Sequence, residues 1–157
     1  MSATSQATPR PIPRLVNLLN PLVRRLLALG VPMGPNVLMR VRGRASGVWR
    51  TFPVAILESD GRRVVFSPFG EVQWVRNLRA SGEAIVRRGR RDQPMIAREL
   101  TPEEAAPLLR LGVLPILSAP VFGPMIVGWY GVDRDSTDAD FLNAARLHPA
   151  FELRAVS

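Results

Sequence analysis

The chain has no cysteine, and all 21 of its basic residues are arginine, with no lysine among them. It has a single histidine, His148, and a single tyrosine, Tyr130. Without cysteine there can be no disulfide, no thiolate catalysis and no Cys-ligated zinc or iron–sulfur centre. One histidine cannot build a His-rich metal site, so no metal ligand set is assigned. No Gly-x-Gly-x-x-Gly follows a strand, which argues against a Rossmann fold. No nucleophile elbow or catalytic carboxylate pair is evident either. The first residues, Met1 to Thr8, are rich in Ser, Thr and Ala and uncharged, unlike the positive start of a signal peptide.

What is present is basic and apolar. The formal net charge is +8 and 46% of the 157 residues are hydrophobic, enough for one domain with a substantial core. The guanidinium group offers a planar fork of donors suited to phosphates and carboxylates. Such a surface points to an anionic partner: nucleic acid, an anionic membrane or an acidic cofactor. Genomic base composition also favours arginine over lysine, but it does not account for the excess of positive charge.

Residues 1–13 read as a flexible tail. From Arg14 to Leu29, apolar residues recur at helical spacing around the Arg24-Arg25 pair, which predicts an amphipathic helix interrupted at Pro21. It can pack on its own core or lie on a membrane surface. Alternation predicts strands at Asn36–Arg42, Trp49–Glu58 and Arg62–Ser67, with Ser59-Asp60-Gly61 as a hairpin turn. A short helix is expected over Val72–Ala80, and a hairpin from Glu83–Arg88 and Pro94–Leu100 across residues 89–92. Thr101-Pro102-Glu103-Glu104 starts a helix through a capping box. The uncharged stretch from Leu111 to Val132 is broken by prolines and glycines and reads as an irregular apolar wall or lid. A helix at Asp138–Leu147 and a strand at Ala150–Val156 complete the chain. Five or six antiparallel strands with inserted helices and no βαβ alternation predict a mainly β protein, a small barrel.

Three segments carry candidate chemistry. In Gly43-Arg44-Ala45-Ser46-Gly47, followed by Arg50-Thr51-Phe52-Pro53, two glycines permit a tight turn. Arg44, Ser46, Arg50 and Thr51 can all donate toward one anion there; a hairpin with surface arginines fits the same residues. Ser67-Pro68-Phe69-Gly70 ends a strand in a turn able to aim amides at a planar ring. Trp74-Val75-Arg76-Asn77-Leu78 places Trp74 and Leu78 on one helical face, with Asn77 and Arg76 as polar contacts; taken alone, the segment reads more readily as a helix packing its Trp into a core.

In this order and spacing the segments resemble the deazaflavin (coenzyme F420)-dependent nitroreductase, or quinone reductase, family. The Thr-x-Glu-Glu helix at Thr101–Glu104 and the ending His148-Pro149-Ala150-Phe151-Glu152-Leu153 add to the likeness, which covers roughly residues 15–155. The resemblance implies a split β-barrel of the flavin-reductase type, spanning residues 14–157 as a single domain. It implies an oxidoreductase that moves a hydride from reduced F420 to a hydrophobic conjugated acceptor such as a quinone. Arg44, Ser46, Gly47, Arg50 and Thr51 would contact the coenzyme's anionic tail side. Ser67, Pro68, Phe69, Gly70, Trp74 and Asn77 would contact its ring and linker. Tyr130, at the end of the apolar stretch, and Ser67 are the candidate proton donors; Tyr130 equally suits a core aromatic. His148 reads as a structural residue. The loop between Ser67 and Trp74 is shorter than in the nitroimidazole-reducing members, and their tyrosine-rich C-terminal segment is absent.

Two rival readings remain open at this stage. One is an FMN-dependent reductase or oxidase on the same barrel. The other is a non-catalytic protein binding a membrane surface or nucleic acid. Nucleic acid is not expected, because the arginines lack interleaved aromatic platforms. The expected location is cytoplasmic, with peripheral contact to the inner face of the cell membrane through the N-terminal helix.

Overall fold

The computed structural model describes residues 21–26 and 36–157. Of the helix expected over Arg14–Leu29, residues 21–26 are helical; the remainder, and the expected tail over residues 1–13, lie outside the described residues.

Six strands form a closed antiparallel barrel: β1 (Asn36–Arg42), β2 (Trp49–Ser59), β3 (Arg62–Phe66), β4 (Glu83–Arg88), β5 (Arg91–Glu99) and β6 (Ala150–Ala155). Around the barrel they run β1-β2-β3-β6-β5-β4, with β4 closing on β1. The period of two along each strand sets what lies inside. On β1, Val37, Met39 and Val41 are buried in the barrel core, while Arg40 and Arg42 sit on the outer side. The register places Met39 opposite Phe52 and Val86, so the inward residues of three strands meet in one layer.

A second core lies outside the barrel. There α2 (Pro102–Val113) and α4 (Asp138–Leu147) pack together over β3 and β6. Two adjacent residues of β3 serve the two cores: Val65 points into the barrel and Val64 into the helical layer. Ala150 and Phe151 divide in the same way on β6. Burying a large apolar side chain contributes roughly 1.5–3 kcal/mol, so β3 and β6, with both faces covered, hold the barrel to its helices.

Local chemistry sets the boundaries. The expected capping box is present: Thr101 Oγ1 accepts from Glu104 N–H at 3.2 Å, and Glu104 Oε2 accepts from Thr101 N–H at 2.9 Å. A second box, Thr137 with Asp140, starts α4. Asp60 and Gly61 both take positive φ, 51° and 73°, as a two-residue hairpin turn requires.

Two expectations need correction. The second hairpin is tighter than read: β5 begins at Arg91, leaving Gly89-Arg90 as the turn, with Gly89 at φ 62°. The stretch 111–132 is more helical than its glycines and prolines suggested. A 3-10 turn covers Leu114–Ile116 and α3 covers Phe122–Tyr130. Pro124 falls in the first turn of α3, where its missing N–H would have had no helical partner. Among the described residues no helix is long and apolar enough to cross a membrane.

Candidate functional site

The Gly43–Gly47 turn is closed by Gly43 N–H to Val48 O at 2.8 Å and Gly47 N–H to Gly43 O at 2.9 Å. A Cβ on Gly43 would stand 2.7 Å from Ser46 Oγ, and Gly47 has φ 70°, so both positions favour glycine. Ser46 Oγ accepts from Val48 N–H at 3.2 Å, which leaves its own proton free to point outward. The turn is pinned to α1 (Gln73–Ser81): the buried Asn77 accepts from Arg44 N–H at 3.2 Å and from Arg44 Nη1 at 2.8 Å. Gln73 Oε1 takes a further bond from the same Nη1 at 3.0 Å. The first and third candidate segments, 33 residues apart at this contact, are therefore one unit. Arg50 is exposed. Trp74 turns inward, stacking on Phe52 with ring centroids 5.6 Å apart and lying 6.2 Å from Phe151. It packs, partly buried, against the barrel core.

The second segment leads directly into α1. Ser67 is fully buried, and its hydroxyl donates to Gly70 O at 2.5 Å. Pro68 and Phe69 are half-buried. Gly70 has φ 78°, and a Cβ there would meet Leu147 O at 3.3 Å. The loop reaches the apolar helix α3 edge-on, with the rings of Phe69 and Trp129 at 5.2 Å. Beside it the Tyr130 ring lies 4.7 Å from that of His148. Burial pushes the Tyr130 phenol well above its usual value, so it stays protonated across the physiological range. Of the two candidate proton donors, Ser67 thus has its hydroxyl enclosed within the loop, and Tyr130, a half-buried residue, packs its ring against His148.

On the outer wall of the barrel lies an open groove of about 450 Å³. Arg24, Arg25, Arg40 and Arg87 line it together with Thr51 and Leu38. The strand register explains the grouping: Arg40 pairs with Thr51 across β1–β2, and Leu38 pairs with Arg87 across β1–β4. Arg87 Nε is buried and makes no hydrogen bond among the described residues; the nearest carboxylate oxygen, Asp92 Oδ1, is 3.8 Å away. A buried donor left this way favours an anion that supplies the missing acceptor. Thr51 is the one groove residue that the motif reading singled out as a contact. Arg40 and Arg87 could have been found only from strand pairing, and Arg24-Arg25, on a helix read as packing on the core or lying on a membrane surface, line the groove. Among the described residues no cluster of side chains could hold a metal ion.

The model of the F420H(2)-dependent quinone reductase family matches residues 23–118, more than half of the chain. The chain belongs to this family. It is an F420-dependent oxidoreductase. The family match spans the Arg44 turn, the Ser67–Gly70 loop, α1 and most of the groove, and it ends before α3, so Tyr130 and His148 lie beyond it. No curated protein matches the sequence. Among solved structures, one described as a domain-swapped dimer shares 23% identity with a TM-score of 0.52, covering 85% of this chain and 95% of that one. Another, described as an F420-H2-dependent reductase (FDR-A), shares 24% identity with a TM-score of 0.50, covering 76% and 94%. At these identities the likeness concerns the fold, and it bears out the split-barrel expectation.

Proposed function

We propose that this member of the quinone reductase family transfers a hydride from reduced F420 to a hydrophobic conjugated acceptor such as a quinone. The observation that carries the proposal is the arginine-lined groove, in which the buried Arg87 Nε makes no hydrogen bond among the described residues, on a wall whose strand β1 leads into the Gly43–Gly47 turn. A coenzyme with a phosphate and a carboxylate-rich tail supplies the acceptors this groove lacks. The residues therefore fit the group.

Arg44, Ser46, Gly47, Arg50 and Thr51 hold the tail side, with Arg40 and Arg87 extending the contact along the groove. Ser67 to Gly70, with Trp74 and Asn77, form the ring side. The bound coenzyme supplies a hydride from its ring carbon; the chain supplies placement and dryness. Phe69 and Trp129 exclude water from the acceptor side. Tyr130, protonated at neutral pH, donates the proton that neutralises the reduced carbonyl. Asn77, with Gln73, fixes the direction of the Arg44 guanidinium by occupying its Nη1, which leaves the other nitrogens for the tail.

The test is fluorescence titration of the purified chain with F420 and with FMN, followed by turnover of a short-chain quinone with reduced F420. Tight F420 binding, weak FMN binding and quinone-dependent oxidation of the coenzyme are expected. FMN binding as tight as F420 binding would overturn the reading and favour a flavin enzyme on the same barrel.

A further inference from the structure

His148 is the chain's only histidine, is 2% exposed and is not among the residues that line the arginine groove. Its Nδ1 stands 3.0 Å from the carbonyl oxygen of Ser67. A carbonyl can only accept, so Nδ1 carries the proton and the tautomer is set. The neighbouring Pro149 O accepts from Ser67 N–H at 2.9 Å. Both backbone polar groups of Ser67 are thus held by the His148-Pro149 step. Within the loop, Ser67 Oγ bonds to Gly70 O, and Gly70 N–H reaches back to Ser67 O at 3.4 Å. His148 N–H is itself anchored to Ala144 O at 3.1 Å at the end of α4, and the Tyr130 ring covers the imidazole. The clamp therefore stands on α4 and β6, two elements with buried cores, and grips a loop whose Ser67 hydroxyl is already committed.

We propose that His148 is a positioning residue for hydride transfer: through Ser67 O it fixes the Ser67–Gly70 loop in the orientation that the bound deazaflavin ring meets. This rests on the reading that the loop lies on the ring side of the site. It also gives the imidazole a reason beyond packing. An apolar side chain of similar volume could fill the space beside Tyr130, but it would leave the Ser67 carbonyl with only the long 3.4 Å bond from Gly70 N–H.

Two polar variants separate positioning from bulk. His148→Asn keeps an N–H near the Nδ1 position; His148→Gln keeps polarity and size but moves the donor away from Ser67 O. Amide hydrogen exchange of residues 67–72 is measured on the coenzyme-free protein, and F420 affinity and kcat with a quinone on the loaded enzyme. In His148→Gln, exchange at Ser67 and Gly70 should rise about tenfold, as expected for loss of one hydrogen bond. Exchange in β1 should stay unchanged. Turnover should fall about tenfold with F420 affinity within about threefold, and His148→Asn should restore both readouts. Identical behaviour of the Asn and Gln variants, in either direction, would overturn the proposal. So would a loosened loop with unchanged turnover, which, with tight F420 binding retained, leaves the functional reading standing. Failure of the wild-type chain to bind F420 sinks the functional reading and the ring-side role with it, while the exchange data still show whether His148 clamps the loop.

Discussion

Arg44 and Asn77 meet through a single oxygen: Asn77 Oδ1 accepts from both the backbone N–H and the Nη1 of Arg44. One buried amide therefore sets both the shape of the Gly43–Gly47 turn and the direction of its guanidinium group. Replacing Asn77 with Ala removes both bonds while leaving Arg44 in place. F420 affinity should then fall through loss of orientation, and Arg44→Ala should weaken it by about 1.5–3 kcal/mol, the range for a charge-assisted contact. Fluorescence titration of the two single variants and the double variant checks this. Coupling requires the double variant to be no weaker than Arg44→Ala alone.

Arg40→Ala and Arg87→Ala should each weaken F420 binding, and the deficit should shrink as salt is raised, because added ions screen the wild-type attraction more than the mutant one. Titrations at low and high ionic strength are the measurement. A deficit independent of salt would mean that these groove residues act by shape rather than charge.

The buried Glu152 gathers Arg62 at 2.7 Å, Arg98 at 3.2 Å and Arg154 at 3.3 Å on the outer face of β6. The hydrogen bond from Arg62, aided by Arg98 and opposed by burial, holds its carboxyl below the usual glutamate range. A lowered folded-state value means that the stabilisation is present above the unfolded value, about 4.3, and is lost as pH falls toward the folded one. Glu152→Gln should cost about 1.5 kcal/mol at neutral pH, the lower end for charged hydrogen bonds because the arginine heads are solvated. The gap to wild type should close as the pH drops below about 4. Urea unfolding at a series of pH values tests both the cost and its direction.

Tyr130→Phe removes only the phenolic hydroxyl from a ring packed against His148. Quinone turnover should fall roughly tenfold while F420 affinity holds, as for loss of a general acid. Unchanged turnover would assign the proton to solvent and leave Tyr130 as a packing residue.

Gly123 sits where α3 crosses the preceding turn, and a Cβ there would stand 2.3 Å from Leu117 O. Backbone cannot yield as a flexible side chain does, so Gly123→Ala should destabilise the chain by about 1–3 kcal/mol and displace α3. Thermal unfolding gives the first effect. Altered Trp129 fluorescence, through its contact with Phe69, gives the second.

Much of this was legible in the residues because local chemistry decided it. The alternation in Asn36–Arg42 marks β1 to the residue, and Thr101 with Glu104 marks the start of α2. The helix Phe122–Tyr130 was hidden because glycine and proline were read as breakers, although Pro124 falls in the first turn, where proline costs little. The groove was hidden for another reason. Arg40 and Arg87 are 47 positions apart, and only the pairing of β1 with β4 brings them to one wall. His148 was legible as a buried structural residue, but its partner, the Ser67 carbonyl, carries no mark in the sequence.

The groove also lies on the barrel's shortest seam. β1 and β4 pair over Leu38–Arg40 opposite Ile85–Arg87, a shorter run than the one joining β1 to β2 from Asn36 to Arg42. Arg40 and Arg87 sit on opposite sides of that seam, and Asp92 pairs with both, at 2.5 Å from Arg40 and 3.8 Å from Arg87. An anion bridging the two guanidinium groups acts as a fastener that shuts the cylinder. By linkage, the ligated form gains resistance to heat and protease in proportion to how far ligand exceeds its dissociation constant. In the empty protein, the Asp92 carboxylate is the acceptor that the two guanidinium groups share across the seam.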